Sequence, residues 1–141
     1  MEFTRTAVRL TASGAQALVA AAVDKAAAMQ VPVCIAVVDE GCNLLAFLRM
    51  DGSRVLSVRS AERKAMTAAS TGLPSGSLSP AVEIKLSIAT DGEMVNLKGG
   101  LPVIVDGQTI GGIGVGSGTS DEDVEIAAAA LAQFPGAQQF G

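Results

Sequence analysis

Half of the ten basic residues, Arg49, Arg54, Arg59, Arg63 and Lys64, fall within one short segment interrupted only by Asp51 and Glu62. This makes a local positive field in a chain whose formal net charge is -4. Arg59 and Arg63 are one helical turn apart, so their guanidinium groups can share a face and present the forked donors that grip carboxylates. Arg49 closes an apolar run, where a charge is costly unless it reaches solvent, a partner or a ligand. Arg49, Arg63 and Lys64 therefore mark one candidate site for a carboxylate-bearing ligand. Surface pairing of the arginines with Asp51 and Glu62 is the competing reading.

Histidine, tyrosine and tryptophan are absent. That removes Ser-His-Asp and Cys-His catalysis, histidine-held zinc and proximal-histidine haem. Any proton transfer falls to carboxylates or lysine, which makes Lys64, Glu62 and Asp51 the candidate catalytic groups. Cys34 and Cys42 fit neither a redox CxxC nor a zinc knuckle and read as reduced packing residues. Met50, Met66 and the cysteines are soft donors for a metal or haem iron, but packing explains each better, and no metal site is assigned. Gly111, Gly112, Gly114, Gly116 and Gly118 fail the GxGxxG spacing, and no P-loop lysine follows. They leave a glycine-rich strand end running into a helix N-terminus, where backbone N–H groups can hold an anion, so Gly114 and Gly116 join the candidate ligand-binding residues. Close approach of a helix or a second subunit is the alternative use of these glycines.

The elements that must position these groups are legible from pattern. Thr11 to Gln30 is alanine-rich, opens with a capping residue and stops before Val31-Pro32, which predicts a first helix burying Ala15, Leu18, Val19, Ala22 and Val23. VPVCIAVVD and LLAFLRM predict an antiparallel pair joined through Glu40-Gly41-Cys42-Asn43, with Gly and Asn supplying positive φ. Both faces of the first strand are apolar, so it should be central and covered twice. Asp51-Gly52 leads into a second helix from about Ser53 to Ser70, ended by Gly72 and Pro74. Ser79-Pro80 suggests a short helix to Ile88, and EMVNL, LPVIV and QTIGGIGVG suggest three strands, the last two joined by the turn Asp106-Gly107. A final helix starts at SDEDV, with Ser120 as cap and Asp121, Glu122 and Asp123 complementing the helix dipole. Without regular βαβ alternation, the order is α+β with an antiparallel sheet.

At 141 residues with no composition break, 1–141 reads as a single domain, and 49% hydrophobic residues with 17% charged ones require a folded core. The acidic balance, with a pI near 4.7, argues against nucleic acid. No stretch reaches the length of a membrane span and the N-terminus lacks a secretory apolar run, so the expectation is a cytoplasmic protein without a membrane partner.

Several segments together, AVVDEGCNLLAFLRMDGS, RSAERKAMTAAS, LPVIVDGQTIGGIGVGSG and SDEDVEIAAAAL, resemble the GlcG/HbpS family of small bacterial proteins over nearly the whole chain. The resemblance implies a profilin-like α/β sandwich that forms homo-oligomers, with members that bind haem or serve catabolic operons. Two functions follow as expectations. One is an oligomeric binding protein for haem or another tetrapyrrole, its propionates held by the Arg49 to Lys64 segment. The other is a cofactor-free lyase or isomerase acting on a small aromatic or hydroxy carboxylate. The cofactor is thus open between haem and none. A mean hydropathy of +0.43 in so short a chain also favours burial between subunits. Sedimentation equilibrium should therefore report an oligomer, and a species near 14.1 kDa throughout the micromolar range would overturn that expectation.

Overall fold

The computed structural model describes residues 1–141. In chain order its elements are α1 (Ala12–Met29), β1 (Cys34–Asp39), β2 (Leu44–Arg49), α2 (Ser57–Thr71), α3 (Glu83–Ala89), β3 (Gly100–Val105), β4 (Gln108–Gly116) and α4 (Ser120–Ala132). The strands form one four-stranded sheet in the order β2-β1-β4-β3, every neighbouring pair antiparallel. Helices α1 and α4 cover one face and α2 the other, which gives the expected α+β sandwich. No helix is long and apolar enough to cross a membrane.

Strand β1 lies between β2 and β4, and its period of two divides the interior. Val33, Ile35 and Val37 enter the larger core with Leu18, Ile113, Val115, Ile126 and Leu131. Cys34, Ala36 and Val38 face the smaller core beneath α2, with Ala61, Ala65 and Ala69. Strand β4 carries the same division. Gly112, Gly114 and Gly116 stand opposite Val38, Ala36 and Cys34 on the α2 face, whereas Ile113 and Val115 stand opposite Val37 and Ile35 on the other. The glycine run is therefore an alternating strand in which the face toward α2 has been stripped of side chains. A Cβ at Gly112 would collide with the Ala65 carbonyl, one at Gly114 with that of Ala61, and one at Gly100 with that of Lys64. Helix α2 rests its backbone directly on the sheet.

The turns follow residue chemistry. Asp106 and Gly107 have φ of 51° and 72°, the paired positive values of a tight hairpin. In the first hairpin the positive φ of 66° falls on Cys42, not on Gly41 or Asn43. The Asp39 carboxylate accepts the Gly41 and Asn43 N–H groups at 2.9 Å each, and this side-chain turn sets the loop in place of glycine.

Three boundaries and one expected strand differ from expectation. Helix α2 begins at Ser57 rather than Ser53, because the Ser53 hydroxyl donates to the Met50 carbonyl at 2.7 Å instead of capping a helix. Helix α3 begins at Glu83, after Ser79-Pro80 has formed a preceding turn. EMVNL is not a strand: the Val95 N–H donates to Thr67 Oγ1 and the Asn96 side chain to the Leu78 carbonyl and Glu83, so side chains replace a ladder. Helix α4 is capped by Thr119, not Ser120, in a reciprocal box with Glu122.

Gly114→Ala should cost about 3 kcal/mol or more in chemical denaturation, at the upper end for an added methyl, since the obstruction is helix backbone and not a movable side chain. A loss below about 1 kcal/mol would show that α2 can lift from the sheet.

Candidate functional site

The direct seating of α2 decides where its charged residues go. Ser57, Ala61, Lys64, Ala65 and Ala68 are buried at helical spacing, and the one long side chain in that stripe is Lys64. With the helix backbone against β3 and β4, its ammonium passes the end of the sheet. Lys64 Nζ donates to the Val115 carbonyl at 2.9 Å and to Asp123 Oδ2 at 3.0 Å. Lys64 is 6% exposed and Asp123 2%, so the ion pair joins α2 to α4 out of water. Asp123 Oδ1 accepts the Gly118 N–H at 3.0 Å, and no buried side-chain polar atom in the molecule lacks a partner.

Burial pushes the Asp123 carboxyl above its ordinary value of 3.8, and the Lys64 charge and hydrogen bond oppose that rise without cancelling it. Asp123 is thus more than the dipole complement read from sequence: it is the counterion of Lys64. The signal available in the sequence was a lysine lying in a helical stripe of Ser57, Ala61, Ala65 and Ala68.

Around the N-terminus of α4 the chain supplies side-chain acceptors for three backbone donors. Gly118 N–H is held by Asp123, Thr119 N–H by Glu122 at 2.8 Å, and Glu122 N–H by the Thr119 hydroxyl at 3.2 Å. Two of the chain's own carboxylates, those of Asp123 and Glu122, thus accept the Gly118 and Thr119 N–H groups just ahead of the helix. Gly114 lies under Ala61, and Gly116 under Ser57 and Ser60, so α2 occupies the space in front of both.

The arginines are arranged differently. Ion pairs form at Arg9–Glu40, Lys25–Glu125 and Lys64–Asp123, and Arg49, Arg54, Arg59 and Arg63 take part in none. Pairing with Asp51 or Glu62, the competing reading from sequence, does not occur. Arg49 lies in register with Cys34, which is in register with Gly116, so the three share one row across the α2 face near the start of that helix. Arg49, Arg54 and Arg59 are exposed, Arg63 is half-buried, and the Arg54 backbone is tied to β4 through Ser117 at 2.8 Å. Beside them Val55 and Leu56 are 66% and 69% exposed. Asp51 is exposed in the turn and Glu62 half-buried on α2, while the Lys64 amine points away toward α4. The start of α2 thus carries an arginine-rich edge with Val55 and Leu56 exposed beside it in the chain, Arg63 follows one turn beyond Arg59, and Lys64 is drawn away toward α4.

Lys64→Met should destabilise the fold by about 3–5 kcal/mol, because a buried carboxylate loses its counterion. Replacing Asp123 as well with a volume-matched apolar residue should restore much of that loss. The sign of the pH dependence follows from the raised Asp123 pKa. Its favourable contribution is complete below the unfolded value and declines as pH rises through the folded one. Relative to Asp123→Asn, the wild type should therefore lose stability as pH rises from below 3.8, as read by thermal midpoints across that range.

The family model described as haem degrading protein HbpS-like matches residues 10–132. The chain is 36% identical over 112 residues to protein GlcG of Escherichia coli K12, covering 79% of this chain and 84% of that protein. The crystal structure of Klebsiella pneumoniae protein ORFY superposes with a TM-score of 0.89 at 33% identity, over 95% of this chain and 96% of that one. A structure described as a PduOC:heme complex superposes with a TM-score of 0.85 at 29% identity, over 95% of this chain and all of that one. With the sheet, its helical layers and nearly the whole length in common, the chain belongs to the HbpS-like family that includes GlcG.

Proposed function

We propose that the protein binds a flat, carboxylate-bearing ligand of the tetrapyrrole class at its arginine-rich edge, with a second copy of the chain closing the site. The observation that carries this reading is the set of unpaired arginines, Arg49, Arg54, Arg59 and Arg63, bordered by exposed Val55 and Leu56. Guanidinium groups with no internal carboxylate suit propionates, and the apolar border suits a ring face. The haem held by the PduOC relative supports the choice of ligand class.

The donor chemistry divides the fit. The chain has no histidine, and Cys34 is buried against Ser53 and the Arg54 carbonyl. Cys42, Met66 and Met94 line a cavity of about 70 Å³. That space is far smaller than the roughly 300 Å³ at which ligand pockets begin. The residues therefore fit the periphery of a tetrapyrrole and not its metal, so affinity should rest on carboxylates and ring contact. Arg49 and Arg63 are the residues assigned to the carboxylates. Lys64 acts on this site indirectly, by fixing α2.

Titration with haem should give saturable binding whose absorption spectrum lacks a bis-histidine signature. Arg49→Ala should weaken it by about 1.5–3 kcal/mol, the loss of one charge-assisted hydrogen bond, with the oligomer and its thermal midpoint unchanged. If Arg49→Ala dissociates or unfolds the protein while affinity per folded site stays intact, Arg49 is structural. No binding, combined with turnover of a small hydroxy or aromatic carboxylate, would instead favour an enzyme using Asp51 or Glu62 as base.

A further inference from the structure

Three segments remote in sequence meet around the small cavity of about 70 Å³, whose lining includes none of the arginines. Cys42 comes from the first hairpin, Met66, Thr67 and Ser70 from α2, and Thr90, Glu93 and Met94 from the chain after α3. The walls are held firmly. Met94 N–H donates to Thr90 Oγ1 at 3.0 Å and its carbonyl accepts from Ser87 Oγ at 2.8 Å, while Val95 N–H donates to Thr67 Oγ1 at 3.0 Å. Cys42 is fixed by the Asp39 turn, its N–H donating to the Asp39 carbonyl at 3.1 Å.

The hydroxyls of Thr67 and Thr90 are already used in backbone hydrogen bonds. The Glu93 carboxylate takes part in no ion pair, and the Cys42 thiol has only the Met66 carbonyl as acceptor, at 3.4 Å. What remains to face a ligand is one thiol, two thioethers, the Ser70 hydroxyl and one carboxylate.

We propose that this cavity is a binding site for a soft monovalent cation of the copper(I) or silver(I) type, with Cys42, Met66 and Met94 as its sulfur ligands. Thiolate and thioether donors select such ions, whereas zinc and harder divalent ions need nitrogen and oxygen donors or several thiolates. Nowhere does the molecule collect three His, Cys, Asp or Glu side chains, so it offers no comparable place for those ions. The size agrees, since the cavity takes an ion and excludes an organic ligand. Charge agrees too: the Glu93 carboxylate lines the cavity, Asp39 holds the turn that carries Cys42, and nearby carboxylates favour a cation. Binding exchanges one proton for one cation: the S–H bond breaks, the sulfur–metal bond forms, the proton leaves to solvent and no electron is transferred.

The test is anaerobic titration of the full-length protein with copper(I) against a chromogenic chelator, alongside silver(I) and zinc(II). One copper(I) or silver(I) should bind per chain with release of one proton, and zinc should not compete. Cys42→Ser should abolish the site, whereas Cys34→Ala should leave it intact. Met66→Leu and Met94→Leu should each weaken it by at least about tenfold, the loss seen when groups that merely orient metal ligands are removed. Met94 is half-buried on a loop, so Met94→Leu keeps the test available should Cys42→Ser fail to fold. Retention of tight binding in Cys42→Ser, or affinity indifferent to both methionine substitutions, would overturn the proposal.

Discussion

The close seating of α2 on the glycine face of β3 and β4 is the constraint from which most of this molecule follows. A helix normally meets a sheet through two layers of side chains; here Gly100, Gly112 and Gly114 bring the Lys64, Ala65 and Ala61 carbonyls down to the strands. The cost is a thin apolar layer, composed largely of alanine with Cys34 and Val38. The return is positional. At a more usual distance the Lys64 ammonium would not pass the strand ends to meet Asp123, and α2 would have no polar tie to the opposite layer.

That tie also gives the acidic start of α4 an internal role. Helix N-termini attract anions because their first N–H groups lack partners. In this protein Asp123 and Glu122 accept the Gly118 and Thr119 N–H groups just ahead of the helix, and Asp123 neutralises Lys64 at the same time. One buried carboxylate thus holds both the loop at Gly118 and the interlayer ion pair. Burial dominates its ionisation, so the arrangement depends on the whole group and tolerates the loss of one member poorly.

With Lys64 withdrawn into the interior, the remaining positive charge of the segment is arginine, and it is free. A bare guanidinium at an edge strand also discourages unwanted strand pairing, which gives Arg49 a use even before a ligand is considered. The concentration of unpaired Arg49, Arg54, Arg59 and Arg63 exceeds what edge protection needs. It coincides with exposed Val55 and Leu56, which solvent alone does not favour. The sulfur-lined cavity includes none of these arginines, and ligand recognition and soft-ion binding would draw on different residues of the same helix.

Local rules determined much of this from sequence alone. The period-two faces of β1, the apolar stripe of α1, the Asp106-Gly107 turn and the exclusion of histidine chemistry all depend on neighbours within a few residues, or on composition. The arginine cluster was legible for the same reason, being contiguous in the chain. Tertiary structure decided that Lys64 turns inward to a partner 59 positions away, and that the glycine face of β4 receives helix α2. It also decided that EMVNL spends its hydrogen bonds on Thr67, Leu78 and Glu83 instead of a strand. In each case local pattern allowed more than one outcome, and the choice fell to a distant group able to satisfy a buried charge or backbone donor that no near neighbour could reach.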